Sequence, residues 1–190
     1  LEAREKGVAE VIERTGAAFL HPYNDHRIIA GQGTAALELM DEVPDLDIVV
    51  APVGGGGLIS GTAIAVRSIS PKTRVVAAEP KMADDAYRSF KAGKIIPSIN
   101  PNTISDGLRT SLGDLTFPII MKYVSDIITV TEQETIEAMR NIWERMKIIV
   151  EPSSSVAFAA VRAGRSVFES KRVGIILSGG NVDLTNLPWR

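Results

Sequence analysis

The stretch "APVGGGGLISGTA", residues 51–63, sets four consecutive glycines, Gly54 to Gly57, between an apolar run and a helix-like segment that begins at Leu58. Glycine lets the backbone approach a ligand without Cβ interference, and the first amides of the following helix, with its dipole, favour negative charge. The chemistry this suggests is an anion seat. Leu58-Ile59 stands where a triphosphate-binding loop carries its lysine, and no basic side chain follows closely. Backbone amides would therefore hold a single phosphate group. A tight strand-to-helix turn is the alternative, although one or two glycines suffice for that.

Other residue sets could also do chemistry. Glu79, Asp84 and Asp85 in "AAEPKMADD" supply hard oxygen ligands for Mg²⁺ or Ca²⁺ together with a backbone carbonyl, or else acids that complement a helix N-terminus. Ser178, followed by Gly179 and Gly180, could exchange a hydrogen bond with a flat heterocycle lying over strand ends, or serve as a cap or turn serine. Gly31-x-Gly33-x-x-Ala36 is nominally a dinucleotide fingerprint, but the preceding "HRII" is too short and charged for a strand. A close-packed helix start is the better reading. His21 and His26 are the only histidines and Cys is absent, so no Ser-His-acid triad, multi-histidine metal site, thiolate nucleophile or disulfide framework can be built.

These residues need elements to position them. Apolar, β-branched runs at 17–20, 47–53, 74–78, 126–130 and 173–178 predict strands, and the spacing predicts helices over 1–15, 28–42, 58–70, 81–92, 132–147 and 153–164. "EQE" at 132–134 reads as a helix N-terminus, "ESKR" at 169–172 as solvated surface, and 93–103, with Pro97 and Pro101, as loop. The rhythm is that of an α/β fold with a mainly parallel sheet, in which ligands sit beyond the carboxyl ends of the strands. The glycines, Glu79 and Ser178 all follow such ends.

A chain of 190 residues with 45% hydrophobic content can bury a sizeable core. The formal net charge of -2, without charge blocks, argues against nucleic acid or membrane surfaces as partners. No run approaches a bilayer span and no export pattern opens the chain, so a cytoplasmic protein is expected. Leu1 already lies in a helical pattern, which suggests a fragment.

Taken together and in order, "HPYND", "IAGQGTAALE", "APVGGGGLISG", "AAEPKMADD", "SDGLRTS", "WERMKIIVEPSSSVAFAA" and "ILSGGNVDL" resemble the serine racemase and serine/threonine dehydratase group of fold-type II pyridoxal-phosphate enzymes, over almost the whole chain. The resemblance implies a tryptophan synthase β-like α/β fold, incomplete at its N-terminus. Residues 1–24 would be the tail of a small domain and 25–190 most of the large, phosphate-binding domain. Gly54, Gly55, Gly56, Gly57 and the Leu58 amide would cradle the phosphate of pyridoxal 5'-phosphate, and Ser178 would face its pyridine nitrogen. Gly107 and Glu151 would lie near the ring, with Tyr23 beside it. Glu79, the carbonyl of Ala83 and Asp85 match the family's Mg²⁺ or Ca²⁺ site, and Lys147 and Asn181 fall at positions used for nucleotide effectors.

By the same resemblance the Schiff-base lysine is expected upstream of Leu1, so no catalytic residue is assigned here. "SFKAGK" at 89–94 imitates its motif but follows the phosphate loop instead of preceding it, which argues against Lys91. The implied activity is dehydration of serine, threonine or 3-hydroxyaspartate, with racemisation of serine alongside, by a homodimer or higher oligomer acting on a small amino acid. Arg109 could reach a substrate's second carboxylate or be a surface arginine. The rivals are a catalytically silent cofactor- or metal-binding fragment that needs its N-terminal partner, and a β-replacing enzyme of the same fold.

Overall fold

The computed structural model describes residues 2–189. Helix α1 (Glu2–Thr15) is followed by α2 (His26–Glu42), β1 (Ile48–Pro52), α3 (Gly57–Ile69) and β2 (Arg74–Pro80). A 3₁₀ turn over Lys81–Ala83 leads into α4 (Asp85–Ala92), and a second, Asp106–Leu108, precedes α5 (Thr116–Tyr123). Strand β3 (Asp126–Val130), α6 (Glu132–Met146), α7 (Pro152–Ala163), α8 (Arg165–Phe168) and β4 (Val173–Ile175) complete the order.

The four strands form one parallel sheet in the order β3-β2-β1-β4. Every residue of β1 is buried, as a parallel strand covered on both faces requires. Val49, Ala51, Val75 and Ala77 face a layer containing α2, α3 and α5, whereas Ile48, Val50, Val76 and Ala78 face α6 and α7. Alternation along the pleat thus builds two cores from continuous apolar runs. The chain moves outward from β1 to β2 and β3, then returns to β4 on the other side of β1. The strand order reverses between β1 and β4, so the crevice at their carboxyl ends is the topological switch point.

Several expectations need correction. Residues 17–20 form no strand: the segment is exposed, with Phe19 and Leu20 about half accessible, and a four-residue apolar run has no periodicity to separate strand from irregular chain. The last strand is shorter than 173–178 and stops at Ile175, although the Ile176 amide still donates to the Val50 carbonyl at 2.9 Å. Helix α5 was not anticipated; its Pro118 is the third helical residue, where an amide has no intrahelical partner. Helix α8 was likewise not anticipated, and the helix expected over 81–92 opens as the 3₁₀ turn and becomes α-helical only at Asp85. A capping box starts α6 where "EQE" was expected to: the Glu134 amide donates to the Thr131 hydroxyl at 3.3 Å, and Glu134 accepts from the Thr131 amide at 2.7 Å.

Candidate active site at the switch point

The glycine loop leaves β1 at the switch point and becomes the first turn of α3. Gly54 to Gly57 are all buried, and Gly56 has φ +93, a left-handed conformation that an L side chain resists. Helix α3 has no side-chain cap. Among the described residues, no hydrogen-bond acceptor is recorded for the amides of Gly54 through Ile59; the Ser60 amide is the first that bonds back, to the Gly56 carbonyl at 3.0 Å. A row of donors at a helix N-terminus without protein acceptors fits a phosphate group.

Neighbouring segments leave no room for side chains on this loop. A Cβ on Gly55 would collide with the Tyr23 ring, and one on Gly57 would stand 3.0 Å from the Tyr23 backbone. A Cβ on Gly54 would meet Leu108 Cα at 3.0 Å and the Gly107 carbonyl at 3.2 Å. The loop is glycine four times over because chain packs against it from several directions.

Gly107 lies beside Gly54. The Gly107 amide donates to Ser153 Oγ at 3.1 Å, which ties the 3₁₀ turn to the first turn of α7. Glu151, the N-cap of α7, accepts from the Asn181 amide at 2.8 Å, and its own amide donates to the Gly179 carbonyl at 3.1 Å. Gly107 is thus tied to the first turn of α7, and Glu151, at that helix's N-cap, to the "SGGN" segment. Ser178 is exposed just beyond β4. Lys147 is the C-cap of α6, exposed and in a left-handed conformation with φ 60.

Tyr23 and its neighbours are held by polar contacts. His21 Nδ1 accepts from the Asn24 amide at 2.9 Å, and its ring packs edge-on to Tyr23 with centroids 4.5 Å apart. Asn24 Oδ1 accepts from the Leu115 amide at 3.0 Å, while its Nδ2 donates to Asp114 at 2.6 Å. Thr116, at the start of α5, donates from Oγ1 to the Gly55 carbonyl at 2.8 Å. Sequence reasoning missed Asn24, Thr116, Ser153 and Thr110, whose buried hydroxyl beside Gly54 has no partner among the described residues. The only signal was their place inside quoted motifs or, for Thr116, none. An apolar cavity of about 880 Å³ opens beside Tyr23 and Thr110, walled by Val8, Ile12 and Phe19 among others.

Glu79, Ala83 and Asp85 form a separate cluster where β2 meets α4. Glu79 lies within β2, not after it; its carboxylate accepts from the amides of Ala86 and Tyr87, both at 2.8 Å. Burial pushes its carboxyl up to about 9 despite those donors, with the charges of Asp85 and Asp84 acting in the same direction. Asp85 is buried, neither of its carboxylate oxygens has a hydrogen-bond partner among the described residues, and burial pushes it up to about 6. Among those residues no three His, Cys, Asp or Glu side chains converge as a metal-holding group. Two orphaned oxygens beside a second carboxylate nevertheless fit a hard cation.

Two other candidates are structural. Lys91 is exposed and pairs with Asp126 at 3.7 Å at the start of β3, so it sits at the opposite end of the sheet from the glycine loop. Arg109 spends its guanidinium on the Thr103 carbonyl, from Nε at 2.8 Å and also from Nη2. In "AGQGTAA", a Cβ on Gly33 would stand 2.9 Å from the Gly61 carbonyl oxygen, so the fingerprint-like spacing marks a contact between α2 and α3. Among the described residues no helix is long and apolar enough to cross a membrane.

Known proteins resemble this arrangement closely. The chain is 52% identical over 187 residues to beta-hydroxyaspartate dehydratase of Paracoccus denitrificans (strain Pd 1222), covering 98% of this chain and 59% of that protein. It is 51% identical over 192 residues to serine racemase of Arabidopsis thaliana, covering 98% and 58%. The crystal structure of serine racemase from Dictyostelium discoideum superposes with a TM-score of 0.89 at 51% identity, over 97% of this chain and 60% of that one. The chain thus spans about three-fifths of the length of the curated relatives it matches. Residues 1–179 match the family described as pyridoxal-phosphate dependent enzyme. With a parallel sheet, a glycine loop at its switch point and this match along nearly its whole length, the chain belongs to the pyridoxal-phosphate dependent enzyme family, in its fold-type II form.

Proposed function

We propose that this chain is the phosphate-holding part of an enzyme that removes water from a small β-hydroxy amino acid, releasing a 2-keto acid and ammonia. The carrying observation is the set of buried Gly54–Gly57 amides, continued by Leu58, with no acceptor of their own among the described residues. When bound, pyridoxal 5'-phosphate supplies an electron sink for the substrate α-carbon. The amides anchor its phosphate, and the Tyr23 ring closes one side of the loop. Glu151 and Gly107 border the same crevice. Ser178 would hold the ring nitrogen; a neutral hydroxyl retains a ring proton less strongly than a carboxylate, which limits electron withdrawal and suits elimination.

Serine, threonine and 3-hydroxyaspartate are the proposed substrates, in keeping with the dehydratase and racemase names among the relatives. Racemisation of serine needs the same α-proton removal and is proposed as a second outcome. Glu79, the Ala83 carbonyl and Asp85 would hold Mg²⁺ or Ca²⁺, supported by the unpartnered oxygens of Asp85. We assign residues 1–24 to the tail of a small domain and 25–190 to the large one, and take the protein as a cytoplasmic homodimer or higher oligomer.

The test is keto-acid release by the complete protein from each of the three substrates, with borohydride reduction and mass mapping of the pyridoxyl adduct. Turnover of at least one substrate, and an adduct on a lysine other than Lys91, are expected. No turnover of any of the three rejects the reading, and an adduct on Lys91 rejects the site assignment.

A further inference from the structure

Thr116 belongs to none of the sequence motifs, yet it grips the loop at its most constrained point. Its residue is fully buried, and its Oγ1 donates to the Gly55 carbonyl at 2.8 Å while accepting from the Gly113 amide at 3.0 Å. The Gly113 carbonyl, at 3.2 Å, is the more distant acceptor for the same proton. The approach is open only because residue 56 is glycine. A Cβ there would lie 2.8 Å from both Cβ and Oγ1 of Thr116.

The peptide bond turns this contact into control of the seat. In a trans peptide the carbonyl of one residue and the amide of the next point in opposite directions within one plane, and no cis peptide bond occurs among the described residues. With the Gly55 carbonyl drawn to Thr116, the Gly56 N–H is directed away from α5, and it has no recorded acceptor among the described residues. Gly55 and Gly56 cannot hold this orientation by themselves, because glycine is the residue whose backbone is least restricted. The grip is itself braced, since Asn24 holds the preceding turn through the Leu115 amide and Asp114.

We infer that Thr116 is a positioning residue for the phosphate seat, its hydroxyl holding the Gly55 carbonyl so that the Gly56 amide is aimed at the anion. The inference rests on the cofactor reading above and deepens it, by naming what preorganises the donors.

The test is titration of the complete, cofactor-stripped protein with pyridoxal 5'-phosphate and, separately, with pyridoxal, which lacks the phosphate. Wild type, Thr116→Val and Thr116→Ser are compared by cofactor absorbance and by the ³¹P shift of the bound phosphate. Thr116→Val should weaken pyridoxal 5'-phosphate binding by on the order of tenfold, one good hydrogen-bonding interaction's worth. It should leave pyridoxal binding within about twofold, and Thr116→Ser should restore the phosphate ligand's affinity and ³¹P shift. If Thr116→Val does not fold, Thr116→Ala is read in its place. Equal losses for both ligands, no loss for either, or failure of Thr116→Ser to restore binding would overturn the inference. Wild type that binds the two ligands equally would instead overturn the phosphate seat itself.

Discussion

The amide nitrogen of Gly33 and the backbone of Gly61 approach so closely that a Cβ on Gly61 would lie 2.5 Å from that nitrogen. Helices α2 and α3 meet there backbone to backbone. Because α3 begins at the glycine loop, this contact sets how its N-terminus is presented at the switch point.

The contact predicts opposite outcomes for two glycines of similar sequence context. Gly61→Ala should destabilise the chain by about 1–3 kcal/mol through overpacking against backbone that cannot retreat. Gly31 lies on the exposed side of α2 with nothing within 4 Å of its Cβ position, so Gly31→Ala should stabilise by about 0.4–1 kcal/mol. Urea unfolding of both variants checks the pair; equal signs would refute the packing account.

Asp85 predicts cation-dependent stability. Mg²⁺ or Ca²⁺ at about a hundredfold excess over its dissociation constant should stabilise the protein by about 2.7 kcal/mol, reversed by chelation. Asp85→Asn should remove that response. Without metal the variant should be no less stable than wild type, because Asp85 buries two carboxylate oxygens that have no hydrogen-bond partner among the described residues. Thermal melts with and without each ion decide it, and an undiminished response in Asp85→Asn would eliminate the site.

Asp25 predicts an acid-side loss of stability. It caps α2 through the Arg27 amide at 2.8 Å and pairs with the Arg27 guanidinium, also at 2.8 Å. The side-chain bond from Arg27, then the backbone one, hold its carboxyl down at about 2 against an ordinary 3.8. A depressed folded value means that the stabilisation is fully present above the ordinary value and is lost as pH falls through about 2. Asp25→Asn keeps a capping oxygen but not the charge. Its melting temperature should therefore sit below wild type near neutral pH and converge with it toward about pH 2. A gap that stays constant across that range would show that the charge contributes nothing.

Much of this molecule was legible in the linear chain. The apolar runs at 47–53 and 74–78 announce buried parallel strands, because a strand covered on both faces cannot alternate, whereas 126–130 becomes the edge strand, buried only at Ile127 and Val130. Four glycines between such a run and a helix announce a backbone that something must approach. Both are local signals, carried by residues adjacent in sequence. The acids at 79, 84 and 85 were legible as a cluster but not as a division of labour. Only the fold shows Glu79 bonding the amides of α4 while both oxygens of Asp85 have no hydrogen-bond partner among the described residues.

What tertiary structure alone decided are the relationships between residues far apart in the chain. Composition and spacing carry no trace of the hydroxyl of Thr116 reaching the carbonyl of Gly55, or of Asn24 holding the amide of Leu115. Gly31 and Gly33 look alike in "AGQGTAA", yet one faces open space and the other the backbone of α3. The sequence by itself determined which segments become strands and helices and where a bare backbone stands, since those follow from periodicity and side-chain size. Which amides remain without acceptors, and what holds them in place, depends on the long-range packing of α2, α3 and α5 around β1, and that exists only once the chain has folded.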